Sequence, residues 1–327
     1  MRFLIAGLGS IGRRHLRNLA ALGQNDILLY RTHQSTLDDD ELAPYLVETD
    51  LSAALAQGPD AVVIANPTAL HMRVAVPAAQ QGCALFIEKP LAYRPEDLAE
   101  LEAALKNGKS PVFSAYQFRF NPGLAKVKQL MDEGAIGRPL SFQSCWGEYL
   151  PDWHPWEDYR QGYAARKDLG GGVVLTLCHP MDYLRWLFGE VREVFAFTGH
   201  LSDLEVDVED TAEAVLRFEN GLIGNLNLDY YRRDKRHDLE VVGTLGTLYW
   251  DYADSAVRLR TPQGEQCFPA PQGFERNRMF LDEMAHFIEL TAGKVASRCT
   301  FEDGKKALEL AWGILQSGHY HQRVIYD

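Results

Sequence analysis

The first residues whose spacing could do chemistry are the glycines of Gly7-Leu-Gly-Ser-Ile-Gly12, which read GxGxxG. Each glycine answers a steric demand. Gly7 permits a tight turn, Gly9 lets a pyrophosphate approach the main chain, and Gly12 lets a helix pack closely. The N–H groups that open the helix, around Ser10 and Ile11, are then free for phosphate oxygens. The string follows the apolar run Phe3-Leu-Ile-Ala6 and opens an amphipathic stretch, the context in which it predicts a dinucleotide site. At the end of the next strand such sites usually carry an acid for the ribose 2′-hydroxyl, whereas this chain has Tyr30-Arg31-Thr32-His33. A guanidinium and a hydroxyl suit a 2′-phosphate, so Arg31 and Thr32 point to NADP as the preferred cofactor, with NAD possible. A solvated surface charge is the other reading of Arg31.

Two more groups could handle a proton. Glu88-Lys89-Pro90 puts an ammonium at the carboxyl end of a strand, where it can polarise a substrate oxygen or pass a proton. His179 carries an imidazole that titrates near neutral pH and can exchange a proton with a hydroxyl or carbonyl. Asp182, three residues on, would share a helix face with it and could orient His179, bind substrate or cap the helix. Upstream of Gly170-Gly-Gly172, the segment from Trp153 through Tyr163 to Arg166 and Lys167 gathers aromatic rings and cations. Rings stack on a sugar or a base and arginine grips carboxylate or phosphate; packing against the rest of the second domain or a neighbouring subunit is the alternative.

The elements that must position these groups fall into two rhythms. Strands are expected at 3–6, 26–30, 60–65, 84–87 and 111–116, and helices at 11–22, 50–56, 71–81 and 94–106, the alternation of a parallel sheet covered by helices. In the helix after the glycines, Ile11, Leu16, Leu19 and Leu22 form the apolar positions and Arg13, Arg14 and Arg17 lie between them. After Asn121-Pro122 comes one helix, 124–133, and then strands at 140–148, 191–198, 211–219, 222–231, 237–242 and 247–251, a mainly antiparallel sheet. Glu219-Asn220-Gly221 signals a hairpin. Helices return at 280–289 and 303–316. The fold class is therefore α/β: a Rossmann doubly wound sheet in residues 1–120, followed by an α+β domain with an open-faced sheet in 121–327, for substrate binding and oligomerisation.

Composition sets outer limits. At 327 residues, two cores are expected. Lys+Arg 33 against Asp+Glu 45 leaves −12, which disfavours nucleic acid and anionic lipid as partners. Five scattered cysteines without CxxC spacing suggest neither disulfides nor a metal site, and point to the reducing cytoplasm. No apolar run approaches the roughly 20 residues of a membrane span, and no signal peptide is read at the N-terminus.

The ordered set GxGxxG at Gly7 to Gly12, Ala65-Asn-Pro-Thr68 with His71, Glu88-Lys-Pro90, and Gly170-Gly-Gly172 leading to His179-Pro-Met-Asp182 resembles the glucose-fructose oxidoreductase and inositol dehydrogenase family, Gfo/Idh/MocA, over essentially the whole chain. The resemblance implies hydride transfer at a sugar, acidic or nucleotide-linked sugar, or cyclitol carbon, and a homo-oligomer, dimer or tetramer, built through the open sheet. It implies cofactor contacts from Asn66, Pro67, Thr68, His71, Glu88 and Lys89, with Lys89 and His179 as the catalytic pair. Tyr116, Arg119, Trp153, Tyr163, Arg166 and Asp182 are the expected substrate contacts. One position departs: where many family members carry a proton-relay Asp, four residues before the histidine, this chain has Leu175, with Tyr163 or solvent left to complete the path. A dinucleotide-binding sensor without turnover is the alternative function.

Overall fold

The computed structural model of the chain describes residues 1–32, 40–107 and 110–326. These divide into two compact units, Met1–Gln117 with Arg276–Lys305, and Phe118–Glu275 with Lys306–Asp327. On sequence alone every residue from 121 on went to the second domain; by its contacts, Arg276–Lys305 groups with the first unit.

The first unit is built on strands β1 (Phe3–Ala6), β2 (Ile27–Tyr30), β3 (Leu46–Glu48), β4 (Ala61–Ile64), β5 (Ala84–Glu88) and β6 (Val112–Ala115), interleaved with helices α1 (Ser10–Ala21), α2 (Leu51–Ala56), α3 (His71–Gln80) and α4 (Ala99–Asn107). The sheet order is β3-β2-β1-β4-β5-β6, with every pairing parallel. Strands β1, β4 and β5 are buried along their whole length, as uninterrupted apolar runs covered on both faces must be. The order reverses between β1 and β4, and ligands of open α/β sheets bind beyond the strand ends at such a switch point. β3 escaped the sequence reading because it has three residues and no fully buried one.

Helix α1 corrects the expected pattern. Arg13 and His15 lie on its buried face with Leu16 and Leu19. Both are tolerated there because they are bonded: Arg13 Nε donates to the Leu8 carbonyl at 3.0 Å and His15 Nε2 meets Glu88 Oε1 at 2.7 Å.

The second unit starts with α5 (Pro122–Asp132) and β7 (Pro139–Tyr149), passes through short turns to α6 (Val173–Thr176) and α7 (His179–Phe188), and continues as β8 (Val191–Gly199), β9 (Thr211–Phe218), β10 (Ile223–Asp229), β11 (Tyr231–Gly243), β12 (Thr247–Asp251), β13 (Ala256–Thr261) and β14 (Gly264–Phe268). Helix α8 (Arg276–Thr291) belongs to the first unit; α9 (Phe301–Tyr320) and β15 (Val324–Ile325) close the chain. The sheet order is β14-β13-β12-β11-β7-β10-β9-β8-β15, antiparallel except for β7 beside β10. The hairpin at Glu219-Asn220-Gly221 forms as a three-residue connection, with Phe218 N–H donating to the Leu222 carbonyl and Gly221 at φ +87°.

Alternation along β9 decides what each face of this sheet can do. Ala212, Ala214, Leu216 and Phe218 are buried; Glu213, Val215 and Arg217 between them are exposed. The regular apolar row of this strand is turned inward under the helices, so it is not the face through which the open sheet could meet another subunit. Phe188 of α7 packs on Phe142 and Phe218 at 5.3 and 5.6 Å, and Ser317 of α9 accepts the Ala196 N–H. The outward face is mixed, with Phe195, Phe197, Val215 and Ile223 its exposed apolar residues.

Candidate active site

The glycine turn joins β1 to α1 with the close approaches that its spacing predicts. Gly7 has φ +96°, and a Cβ there would strike the backbone of Asn66; a Cβ on Gly12 would overlap the Gly7 carbonyl. Gly9 differs: a Cβ there would meet nothing within 4 Å. The middle glycine thus leaves space that the protein itself does not fill, where a pyrophosphate would lie. Gly9 is also the N-cap of α1 and makes no side-chain cap, so the main chain at Ser10, Ile11 and Gly12 opens a helix whose start is uncapped by a side chain. Arg31 follows β2 beside this turn, where Gly7 N–H donates to the Tyr30 carbonyl. It is 7% exposed, which removes the reading of a solvated surface charge, while Thr32 is exposed. His33 lies outside the described residues.

Asn66, Pro67 and Thr68 follow β4 on the other side of the switch point. Asn66 Nδ2 donates to the Leu70 carbonyl, and Asn66 Oδ1 is buried with no hydrogen-bond partner among the described residues. That orphaned acceptor, the open space at Gly9 and the free start of α1 are the features a dinucleotide requires, so these residues fit the cofactor. His71 sits behind them, 1% exposed, with its ring nitrogens 2.9 Å from the Asn66 carbonyl and 3.2 Å from the Leu91 carbonyl. Burial lowers its pKa despite those carbonyls, and a neutral ring donates to only one of them. It ties the loop after β4 to the loop after β5.

At the end of β5, Glu88 is buried and Lys89, half-buried, precedes a cis proline. Lys89 N–H donates to Glu88 Oε2 at 3.2 Å. Burial raises the Glu88 carboxyl, but the His15 hydrogen bond and the Lys89 charge outweigh it and hold the group below the usual carboxylate range. Glu283 of α8 has the opposite balance. It is fully buried, neither carboxyl oxygen has a hydrogen-bond partner among the described residues, and burial with the nearby Glu88 charge pushes it well up. Tyr116, just past β6, is fully buried.

In the second unit His179 is the first residue of α7 and 2% exposed. Its ring lies 4.9 Å from Phe118 and stacks on Trp146 at 5.5 Å and 22°. A second imidazole, His237 of β11, pairs across the ladder with Trp146 and stacks on the same indole at 4.2 Å and 5°. Tyr183 OH stands 3.4 Å from His237 Nε2 and 2.9 Å from Ser144 Oγ. Sequence reading missed Trp146 and His237. The strand pattern assigned both to the sheet, and only cross-strand register, which sequence does not print, puts the two rings together.

Two expected substrate contacts bind each other. Arg119 Nη2 and Nε donate to Asp182 at 2.7 and 2.9 Å, with both side chains buried. Of the three roles open to Asp182, helix capping is not the one seen, because α7 is preceded by Cys178 and has no side-chain cap.

The segment before the triple glycine forms three short turns laid over it. A Cβ on Gly171 would strike the carbonyls of Tyr163, Ala164 and Arg166, and one on Gly172, at φ +106°, would strike the Glu209 carboxyl. Trp153 packs edge-on against Tyr230 at 5.6 Å, and its indole Nε1 is buried without a hydrogen-bond partner among the described residues. Arg166 is half-buried and bonded to Asp168 at 2.6 Å. Leu175 lies in α6, buried among Val173, Val174 and Thr176.

Comparison with known proteins places the chain in a family. A family model described as "Oxidoreductase family, NAD-binding Rossmann fold" matches residues 1–116, and one described as "GFO/IDH/MocA C-terminal domain" matches 124–249. Myo-inositol 2-dehydrogenase of Thermotoga maritima is 30% identical over 97% of this chain and 96% of its own length. Levoglucosan dehydrogenase of Pseudarthrobacter phenanthrenivorans is 30% identical over 78% and 77%. A crystal structure of the WlbA dehydrogenase from Bordetella pertussis, in complex with NADH and UDP-GlcNAcA, superposes with a TM-score of 0.84 at 25% identity, covering 100% of this chain and 99% of that one.

Proposed function

Because this chain belongs to the Gfo/Idh/MocA family of oxidoreductases, with its NAD-binding Rossmann fold, we propose that it moves a hydride between the nicotinamide and a hydroxyl or keto carbon of a sugar, an acidic or nucleotide-linked sugar, or a cyclitol. The observation that carries this reading is the combination, in one unit, of an open glycine turn with Lys89 beside a buried Glu88–His15 pair. When bound, the dinucleotide supplies or accepts the hydride. Gly7, Gly9, Ser10, Ile11 and Gly12 would hold its phosphates, and Asn66, Pro67 and Thr68 would make further contacts to it. Lys89 stabilises charge on the substrate oxygen and His179 exchanges its proton. Trp153 and Tyr163 orient the substrate, Arg166 suits an acidic group on it, and Arg119 with Asp182 fixes the helix that carries His179. The relatives' names span a cyclitol, an anhydrosugar and a nucleotide-linked sugar acid, so a trial panel covers those three classes. Dinucleotide absorbance followed against the panel tests the reading. Tight dinucleotide binding with no absorbance change for any member would favour the sensor alternative, which no relative's name supports.

The buried Arg31 favours NADP(H) over NAD(H), since a guanidinium beside the glycine turn can take a 2′-phosphate where an acid would repel it. Arg31→Ala is expected to weaken NADP(H) by about tenfold or more, with little change for NAD(H). Fluorescence titration of both cofactors checks this, and equal losses for the two would sink the idea.

A homo-oligomer through the outward face of the sheet is part of the same proposal, with Phe195, Phe197, Val215 and Ile223 at its centre. Light scattering at micromolar concentration should return more than one chain; a monomer would refute it. The five free thiols suit a reducing compartment such as the cytoplasm, and no described helix is long and apolar enough to cross a membrane.

A further inference from the structure

Glu209 lies in the loop before β9 and was no part of the sequence reading, yet both its main chain and its carboxyl hold the residues that follow the triple glycine. Its carbonyl accepts the Val173 N–H at 3.0 Å and its carboxyl Oε1 accepts the Val174 N–H at 3.1 Å. Its two carboxyl oxygens lie where a Cβ on Gly172 would sit, so that glycine is what admits the group. The turn leads through α6 straight into His179, the first residue of α7. We propose that Glu209 is a positioning residue for His179, its ionisable carboxyl holding the start of the segment that carries the imidazole. This rests on the reading of His179 as the proton-exchanging group.

The surroundings make that hold responsive to pH. Burial drives the Glu209 carboxyl up to about 7, against the lowering effect of the Val174 N–H; the neighbouring Asp210 raises it further and Lys167 opposes. Across from it stands the buried Tyr230, near Tyr163 and Cys178. The sign follows. A carboxyl raised in the folded state from an ordinary 4.5 contributes stability that is full below about pH 4.5 and lost as pH climbs through about 7. Above that point the group is an anion, a stronger acceptor for the Val174 N–H, so the turn is gripped more tightly while overall stability falls. Local grip and global stability therefore move in opposite directions, which no uncharged cap would do.

The test is amide hydrogen exchange of peptides covering residues 173–179 in the NADP-saturated protein. Protection is corrected for intrinsic rate between about pH 6 and 8, with thermal midpoints over the same range. The natural protein should gain protection in these amides as pH rises while its midpoint falls. Glu209→Gln, isosteric and un-ionisable, should show neither trend, and Glu209→Asp should recover the trend with weaker protection. Turnover with the alcohol found in the screen should fall about tenfold in Glu209→Gln, losing an inflection near pH 7, with KM for the dinucleotide unchanged. Protection and pH profile superimposable on the natural protein in Glu209→Gln would overturn the proposal, as would a lowered midpoint alone, the mark of a merely structural cap. Normal turnover in His179→Asn would instead remove the reading beneath it.

Discussion

Replacing Lys89 with Met or His179 with Asn is expected to lower turnover by about 10²–10⁴-fold, with dinucleotide binding nearly unchanged. The separation is expected because the groups proposed to hold the phosphates are main-chain atoms of the glycine turn, which neither substitution touches. As hydride reaches a carbonyl carbon, negative charge develops on its oxygen; an ammonium stabilises that charge and an imidazolium supplies the proton. With Leu175 in α6 standing where a relay carboxylate would be, His179 carries the proton transfer, so its substitution should approach the upper end of the range. Single-turnover absorbance measurements alongside dinucleotide dissociation constants check both variants. A large loss in one only identifies the residue that carries the proton. Near-normal rates in both would remove Lys89 and His179 from the chemistry.

The second large effect is on stability. Arg119→Ala or Asp182→Ala should each destabilise the protein by about 3–5 kcal/mol, because each removes one half of an ion pair that is almost entirely out of water. The bidentate geometry matters: a lysine at 119 would keep the charge but lose the fork, and is expected to recover only part of the loss. A double replacement, Arg119→Met with Asp182→Leu, removes both charges at once and should restore most of the stability. Urea midpoints for the singles and the double decide the matter. Additive losses would mean that the two side chains act independently.

The first unit was almost fully legible in sequence because its information is local. A buried parallel strand is a continuous apolar run and the glycine turn is a contiguous string, so element types, their order and the turn itself could be read without knowing what lies across the sheet. Arg13 and His15 show where that legibility stops: a helical stripe read from hydrophobicity discards charged residues, and only the Leu8 carbonyl and the Glu88 carboxyl explain their burial. In the second unit the strands were visible by alternation but their partners were not. His237 meets Trp146 through ladder register, and Asp182 meets Arg119 across a wide stretch of chain. The same limit hid Glu209, whose role depends on a glycine far away in sequence that makes room for it.

The return of Arg276–Lys305 to the first unit governs the order in which the protein can be made. Helix α8 supplies Phe287 against Phe86 at 5.4 Å, Phe280 beneath the Arg14 guanidinium at 4.5 Å, and Asn277 bonded to Asn18. Beyond it, Thr300 accepts the Ser114 hydroxyl at 2.8 Å. A ribosome that has just released residue 117 has therefore delivered a parallel sheet with an aromatic face still bare, and the cover arrives only after every strand from β7 to β14 has emerged. The nucleotide-binding unit therefore lacks these contacts until the sheet of the other unit has been synthesised. Evolution cannot lift it out as a free-standing cassette by cutting at one point, because the gene encodes its last helix on the far side of its neighbour.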